Sequence, residues 1–153
     1  MFNRFTKDAR VIVRDAVEIA HELGATSVEA EHLLFAAARQ RDPVAETLRW
    51  HGLDEDGLRH ALDLERERSL AAVGISAARP AFAPHVSKPD FAHSSKAALE
   101  GALRAAAERK DTRIGTGHVV LGVLRARRGT VPRALGLVDI DQEELATAIS
   151  AVT

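Results

Sequence analysis

The chain has 153 residues, 46% of them hydrophobic, 28% charged and only 4% aromatic, a length for one domain or two small halves sharing a core, and a composition that favours helix over sheet. With 21 basic against 22 acidic residues and a formal net charge of -1, it has no broad positive field for a phosphate backbone, which argues against nucleic acid as a principal partner. The lack of cysteine excludes disulfides, Cys-ligated zinc, iron–sulfur clusters and thiol chemistry. The charged start has no signal-peptide core and no segment approaches the roughly 18 apolar residues of a membrane span, so a cytoplasmic chain with no membrane partner is expected.

The first predicted helix opens at Thr6, a capping residue, and carries Phe5, Ala9, Ile12, Val13, Ala16, Val17, Ala20 and Leu23 at steps of three and four up to Gly24, which draws one apolar stripe. In "ATSVEAEHLLFAAARQR" a second helix is expected, with Thr26, Ser27 or Glu29 as its cap and Leu33, Leu34, Ala37 and Ala38 on its buried side. Pro43 suits the first turn of a short third helix that Gly52 ends, and a fourth runs from about Asp54 to Arg66, with Glu65 in its pattern beside Leu58, Ala61 and Leu62. Trp50 and Phe35 are expected to pack.

The same order then returns. An offset of 86, the difference between His118 and His32, sets Phe91 on Phe5, Leu103 on Val17, Ile114 on Val28, Val119-Val120 on Leu33-Leu34 and Arg125 on Arg39. After one inserted residue near Gly129 the offset of 87 sets Val131 on Val44, Leu135 on Leu48, Leu145 on Leu58 and Ile149 on Leu62. The chain is an internal duplication of a four-helix unit. A unit so poor in aromatics has a thin core of its own, so the expected fold is all-α: two tandem repeats, 1–66 and 91–153, packed face to face with pseudo-twofold symmetry. Between them, 67–90 reads as an extended linker, with Pro80, Pro84 and Pro89 forbidding a continuous helix.

Glu31 and His32 invite a catalytic or metal-binding reading, but His32 recurs as His118, and a duplicated residue is usually kept for the fold, here as part of how a helix starts. Glu31 has no such twin, since Gly117 stands in its place, so two readings stand for it: a solvated helix-start charge favoured by the dipole, or a binding residue. "HELGA" from His21 lacks a second zinc ligand four residues on, and "HSSK" from His93 lacks the one-turn serine–lysine spacing of a hydrolase. Neither supports an enzyme. Arg39 and Arg41, with Arg125, Arg127 and Arg128 in the second copy, read as solvated helix ends that offset the dipole.

"MFNRFTKDARVIVRDAVEIAHELG", "EHLLFAAAR", "PVAETLRWHGLD" and "GTGHVVLGVLRARRGTVPRALGLVDID" resemble the double repeat at the N-terminus of Clp-type AAA+ unfoldases, closest to the ClpC branch. That resemblance implies an all-α docking module that gathers substrates and adaptors for a Clp-type ATPase, with no cofactor of its own. It also implies a peptide-binding groove at Phe2, Phe5, Arg10, Val13 and Phe91, which in actinobacterial ClpC receives cyclic-peptide antibiotics. The glutamate of the family's Thr-Glu-His helix start is associated with phosphoarginine, which implies Glu31 in the first repeat and Thr116 in the second; a carboxylate can fork a guanidinium while helix-start amides take the phosphate.

This sequence departs from the family pattern at four places: Ala30 replaces the threonine, Gly117 the second glutamate and Lys110 the second turn glycine, and the linker is longer. No Gly-x-x-x-x-Gly-Lys-Ser/Thr phosphate cradle occurs, so the expectation is the docking module alone, a non-enzymatic adaptor or decoy. Two alternatives stand beside it. One is the isolated docking domain of a larger ClpC-type unfoldase; the other is a regulatory partner whose linker, with Phe82 in "RPAFAP", folds back over the groove as a tethered pseudo-ligand.

Overall fold

In the computed structural model, which describes residues 2–74 and 88–153, the Thr6 hydroxyl accepts from the Ala9 amide at 3.1 Å and starts α1, Lys7–Glu22. Such a cap is worth about 1 kcal/mol. The helix buries Ala9, Ile12, Ala16, Val17, Ile19 and Ala20 and closes in a left-handed turn at Gly24, where the Ala25 amide reaches back to the Ala20 carbonyl at 2.9 Å. A two-residue strand, β1 (Ser27–Val28), leads into α2, Ala30–Ala38, whose residues from His32 to Ala38 are all buried. Pro43 opens α3, Pro43–Trp50, behind the Asp42 cap, and Asp54 caps α4, Glu55–Ala72.

The second repeat follows the same plan with β2 (Asp90–Phe91), α5 (His93–Glu108), α6 (Thr116–Leu124), α7 (Thr130–Leu137) and α8 (Gln142–Ala151). Even the turns are copied. Gly24 at φ 69° corresponds to Lys110 at φ 60°, and Gly52 at φ 79° to Asp139 at φ 57°. Each of the four is followed by the same back-bond, Asp111 to the Ala106 carbonyl and Ile140 to the Leu135 carbonyl in the second copy. The backbone keeps the left-handed helix end although the second copy lacks the glycine that makes it easy.

The repeats are woven rather than merely stacked. Ser27 pairs with Asp90 and Val28 with Phe91 in a parallel ladder, while Phe5 bridges in parallel to Ile114. Because Phe91 is the repeat mate of Phe5, and Ile114 of Val28, these are one interaction made twice. The Thr6 amide donates to the Ile114 carbonyl at 2.9 Å, and its mate Ala92 to the Val28 carbonyl at 2.9 Å. Above these bridges α2 packs on α6, α4 on α7 and α3 on α8. One apolar cluster joins Phe5, Ile12, Leu33 and Leu34 to Ile114, Val119, Val120 and Ile149. The shared core is therefore the core of both halves, as expected of thin duplicated bundles.

Several details refine or correct the sequence expectations. Of the three candidate α2 caps the structure uses Glu29, because Ser27 is taken into β1. The fourth helix continues past Arg66 to Ala72, since the added stretch contains good helix formers and meets its first stop at Gly74, φ 76°. Trp50 is 88% exposed, because α3 buries Val44, Ala45 and Leu48 on a face that position 50 does not share; Phe35 is buried. Pro89 is buried just before β2, whereas Pro80, Phe82 and Pro84 lie outside the described residues.

Candidate functional site

The two histidines that recur in the sequence do the same job at two helix starts. The Glu29 amide donates to Nδ1 of His32 at 2.8 Å, and the Gly115 amide to Nδ1 of His118 at 2.9 Å. Each ring thus satisfies an amide just ahead of its helix, an imidazole version of the reciprocal cap. A ring nitrogen that accepts carries no proton, so the hydrogen sits on Nε2. Burial holds His32 low, at about 4, against a smaller pull upward from the Glu29 carboxylate. His118 Nε2 lies 2.8 Å from Asp111, and this contact together with Arg109 holds the Asp111 carboxyl below its usual range.

Glu31 is half-buried at the edge of a cleft of about 590 Å3 between α2, α4 and α7. Burial pushes its carboxyl up, the neighbouring carboxylates Glu29 and Glu65 add to this, and its own amide and Arg133 oppose it. Across the cleft Glu65, only 6% exposed, accepts from Ser69 at 2.6 Å and from Arg133 Nε at 2.9 Å. Arg59 lies over the Phe35 ring at 5.9 Å. The cleft thus offers carboxylates, guanidiniums and an apolar wall together, a set that matches a ligand with both charged and apolar parts. Sequence reading singled out Glu31 but not Arg133, Ser69 or Arg59; the one available signal was Glu65, a carboxylate in an otherwise apolar stripe.

The second repeat closes this position. A Cβ on Gly117 would stand 2.0 Å from Thr153 Oγ1 and 2.8 Å from its Cβ, so the side chain of Thr153 fills the space where a glutamate would project. Thr116 does not line the Glu31 cleft; its hydroxyl donates to Asp42 at 3.0 Å, while the other Asp42 oxygen caps α3. It ties the second repeat to the first.

At the seam, Phe2 lies in a 3-10 turn, Phe2–Arg4, and is 42% exposed. Its ring stands edge-on to Phe5 with centroids 5.1 Å apart, a favoured aromatic geometry. Phe5 is wholly buried, so it backs Phe2 rather than offering surface. Its carbonyl accepts from Arg10 Nε at 3.2 Å and from Arg113 at 3.3 Å, and Arg4 reaches the carbonyls of Asp111 and Thr112 at 3.4 Å. Phe2, Phe5 and Arg10 are therefore gathered at one cross-repeat junction. Val13 and Phe91 pack half-buried against the shared core.

Three of the five arginines expected at helix ends are engaged in ion pairs. Arg39 meets Glu55 at 2.6 Å and Glu22 at 3.8 Å, Arg127 meets Glu143 at 3.1 Å, and Arg125 pairs with Glu108. Among the described residues no three His, Asp or Glu side chains gather as a metal cluster, and no helix is long and apolar enough to cross a membrane.

Comparison with known proteins matches this double-repeat architecture. The family model of the Clp repeat (R) N-terminal domain matches residues 4–138. The chaperone protein ClpB of Rhodopirellula baltica is 27% identical over 98% of this chain, which spans 16% of the length of that relative. Among solved structures, the N-terminal domain of ClpD from Arabidopsis thaliana superposes with a TM-score of 0.69 at 21% identity, covering 99% of this chain and 98% of that one. The Hsp104 N-terminal domain from Candida albicans gives 0.68 at 18% identity over 96% and 89% of the two chains. The N-domain of ClpV from Vibrio cholerae gives 0.61 at 19% identity over 98% and 89%. The all-α fold, the duplicated plan and the match to most of the sequence agree: the chain belongs to the Clp repeat N-terminal domain family.

Proposed function

We propose that this domain is a non-catalytic docking module for polypeptides of a Clp-type system. The reading rests on one observation above others: an exposed Phe2 ring, backed by buried Phe5, at the junction where the two repeats are woven together. An exposed aromatic with a rigid backing is the kind of anchor on which polypeptide recognition depends. Phe2, Phe5, Arg10, Val13 and Phe91 would form the groove, Arg10 supplying a donor beside the apolar patch. The clients would be substrates, adaptors or ClpC-directed cyclic peptides, in the cytoplasm beside a Clp-type ATPase, with the repeats 1–66 and 91–153 acting as one clamp.

Glu31 would serve a second contact, for the guanidinium of phosphoarginine, with Arg133 near enough to meet the phosphate; Thr116, already bonded to Asp42, would contribute only by giving up that bond. Two modes of action fit: an adaptor presents a client to the motor, and a decoy withholds ligands by mass action. A second reading is favoured by the ClpB match, in which the aligned part makes up 16% of the relative: the domain would be the docking portion of a larger ATP-dependent unfoldase.

Calorimetry with a ClpC-directed cyclic peptide tests the groove. The native protein is expected to bind and Phe2→Ala to bind about tenfold more weakly or worse, the loss of roughly 1.4 kcal/mol or more expected of an anchor; equal affinities would remove the groove from the account. Free phosphoarginine, titrated into native protein and Glu31→Ala, tests the second contact separately. Co-purification with a Clp ATPase marks an adaptor, and tight ligand capture without ATPase contact marks a decoy.

A further inference from the structure

A cleft of about 840 Å3 runs between α5, α6 and α8 of the second repeat. Its charged lining is four arginines, Arg104, Arg109, Arg125 and Arg127, against two glutamates, Glu108 and Glu143, a net of +2. The repeat offset carries the same fourteen positions onto α1, α2 and α4, and there the charge reverses. Glu18 stands for Arg104, Leu23 for Arg109, Glu55 for Gln142 and Asp63 for Ser150. With Glu22 and Asp56 the first-repeat face holds five carboxylates, against the three arginines Arg39, Arg41 and Arg59, a net of -2.

Duplication has thus placed equivalent positions on the molecule twice, with opposite net charge. Much of this charge is engaged within the chain, Arg39 with Glu55 and Glu22, Arg59 with Glu55, Arg109 with Asp111 and Arg125 with Glu108; what is left for a partner is the exposed remainder. Arg104, Arg127, Glu18 and Asp56 are exposed, and the Arg127–Glu143 pair has both side chains more than three-quarters exposed, at 77% and 76%, so that pair is weak and open to exchange. Arg104 makes no ion pair among the described residues.

We infer that the basic α5/α6/α8 face docks, head to tail, on the acidic α1/α2/α4 face of a second copy of this chain. Such a contact is heterologous: each docked copy still presents one free acidic and one free basic face, so assembly continues beyond a dimer or closes into a ring. Attraction between exposed charges is screened over about 10 Å at 0.1 M salt, so the association is salt-sensitive. It is independent of polypeptide capture at Phe2.

Sedimentation velocity on the full chain tests it, at about 0.01 M ionic strength, where screening extends to about 30 Å, and at about 1 M, where it falls to about 3 Å. The expected result is a sedimentation coefficient that rises with protein concentration at low salt and returns to the monomer value at high salt. Arg104→Gln with Arg127→Gln, and separately Glu18→Gln with Asp56→Asn, are each expected to weaken self-association about tenfold or more. Mixed in equal amounts, the two doubly substituted proteins are expected to form a one-to-one dimer and nothing larger, because each keeps one intact face. These four positions are exposed, and circular dichroism checks that each variant keeps the native helix content. A native protein that stays monomeric at low salt overturns the inference, as does association indifferent to salt and to both variants. Binding of a poly-glutamate peptide by a chain that does not self-associate also overturns it and assigns the basic face to a different partner.

Discussion

Phe5 of the first repeat pairs with Ile114 of the second, and their repeat mates, Phe91 and Val28, pair in the same parallel sense. Neither half completes its own helix starts without the other. The weave places Ile114 and Val28, both wholly buried, under the seam that carries Phe2. Truncating either to alanine is expected to cost about 3 kcal/mol, in the ordinary range for a large-to-small core change. Urea unfolding followed by circular dichroism is expected to stay a single transition for both variants, with hydrogen exchange in α3 and α8 accelerated together; independent melting of one repeat would contradict the shared core.

The close approach of α5 to α6 is set by glycine. A Cβ on Gly122 would stand 2.0 Å from the Ala98 carbonyl and 2.6 Å from the Ala102 nitrogen, both backbone atoms that cannot swing aside. Gly122→Ala is therefore expected to lose about 3 kcal/mol in chemical denaturation, at the upper end of overpacking costs. The repeat mate of Gly122 is Ala36, buried in α2, so the first repeat already accommodates the methyl that the second excludes.

The duplicated turns give a stabilising change. Lys110 holds φ 60° where its mate Gly24 holds φ 69°, and a side chain in that region costs about 1 kcal/mol or more. Lys110→Gly is expected to raise stability by about 0.5 kcal/mol, the gain in native geometry exceeding the extra entropy that glycine loses on folding. A fall in the urea midpoint would contradict this.

His32 and Glu31 act oppositely on the pH profile. For His32 the folded value is about 4 against 6.5 unperturbed. Between those values the unfolded chain binds more protons, so stability rises with pH across that window and is lost as pH falls through it, by on the order of 3 kcal/mol in full. For Glu31 the folded value lies above 4.5, so the folded chain binds more protons and stability falls as pH rises through the interval just above 4.5. Glu31→Gln is expected to raise the melting temperature at pH 7 by about 2 °C and to lose that advantage in acid. His32→Gln is expected to flatten the slope between pH 6.5 and 4. Thermal melts at several pH values check both signs.

Much of this architecture is written at helical spacing. The stripes through Ile12, Ala16 and Ala20, the Asp42-Pro43 start and the offset joining His32 to His118 each carry a period or a chemical reason, which is why helix order, duplication and shared core are legible. A two-residue strand has no period, so Val28–Phe91 and Phe5–Ile114 leave no signal beyond apolar residues ahead of each helix. Trp50 misleads because size and hydrophobicity suggest packing, whereas its helix turns position 50 away from the core. The Glu31 cleft is half legible for a similar reason: Glu31 and Glu65 stand out locally, but Arg133 comes from the other repeat.

The most direct test of the docking account follows backbone amide signals while an unfolded client peptide is titrated into the native protein. The account predicts saturable shifts confined to Phe2, Phe5, Arg10, Val13 and Phe91 and their immediate neighbours, absent in Phe2→Ala. Shifts centred on the exposed Trp50, or none at saturating peptide, would contradict it.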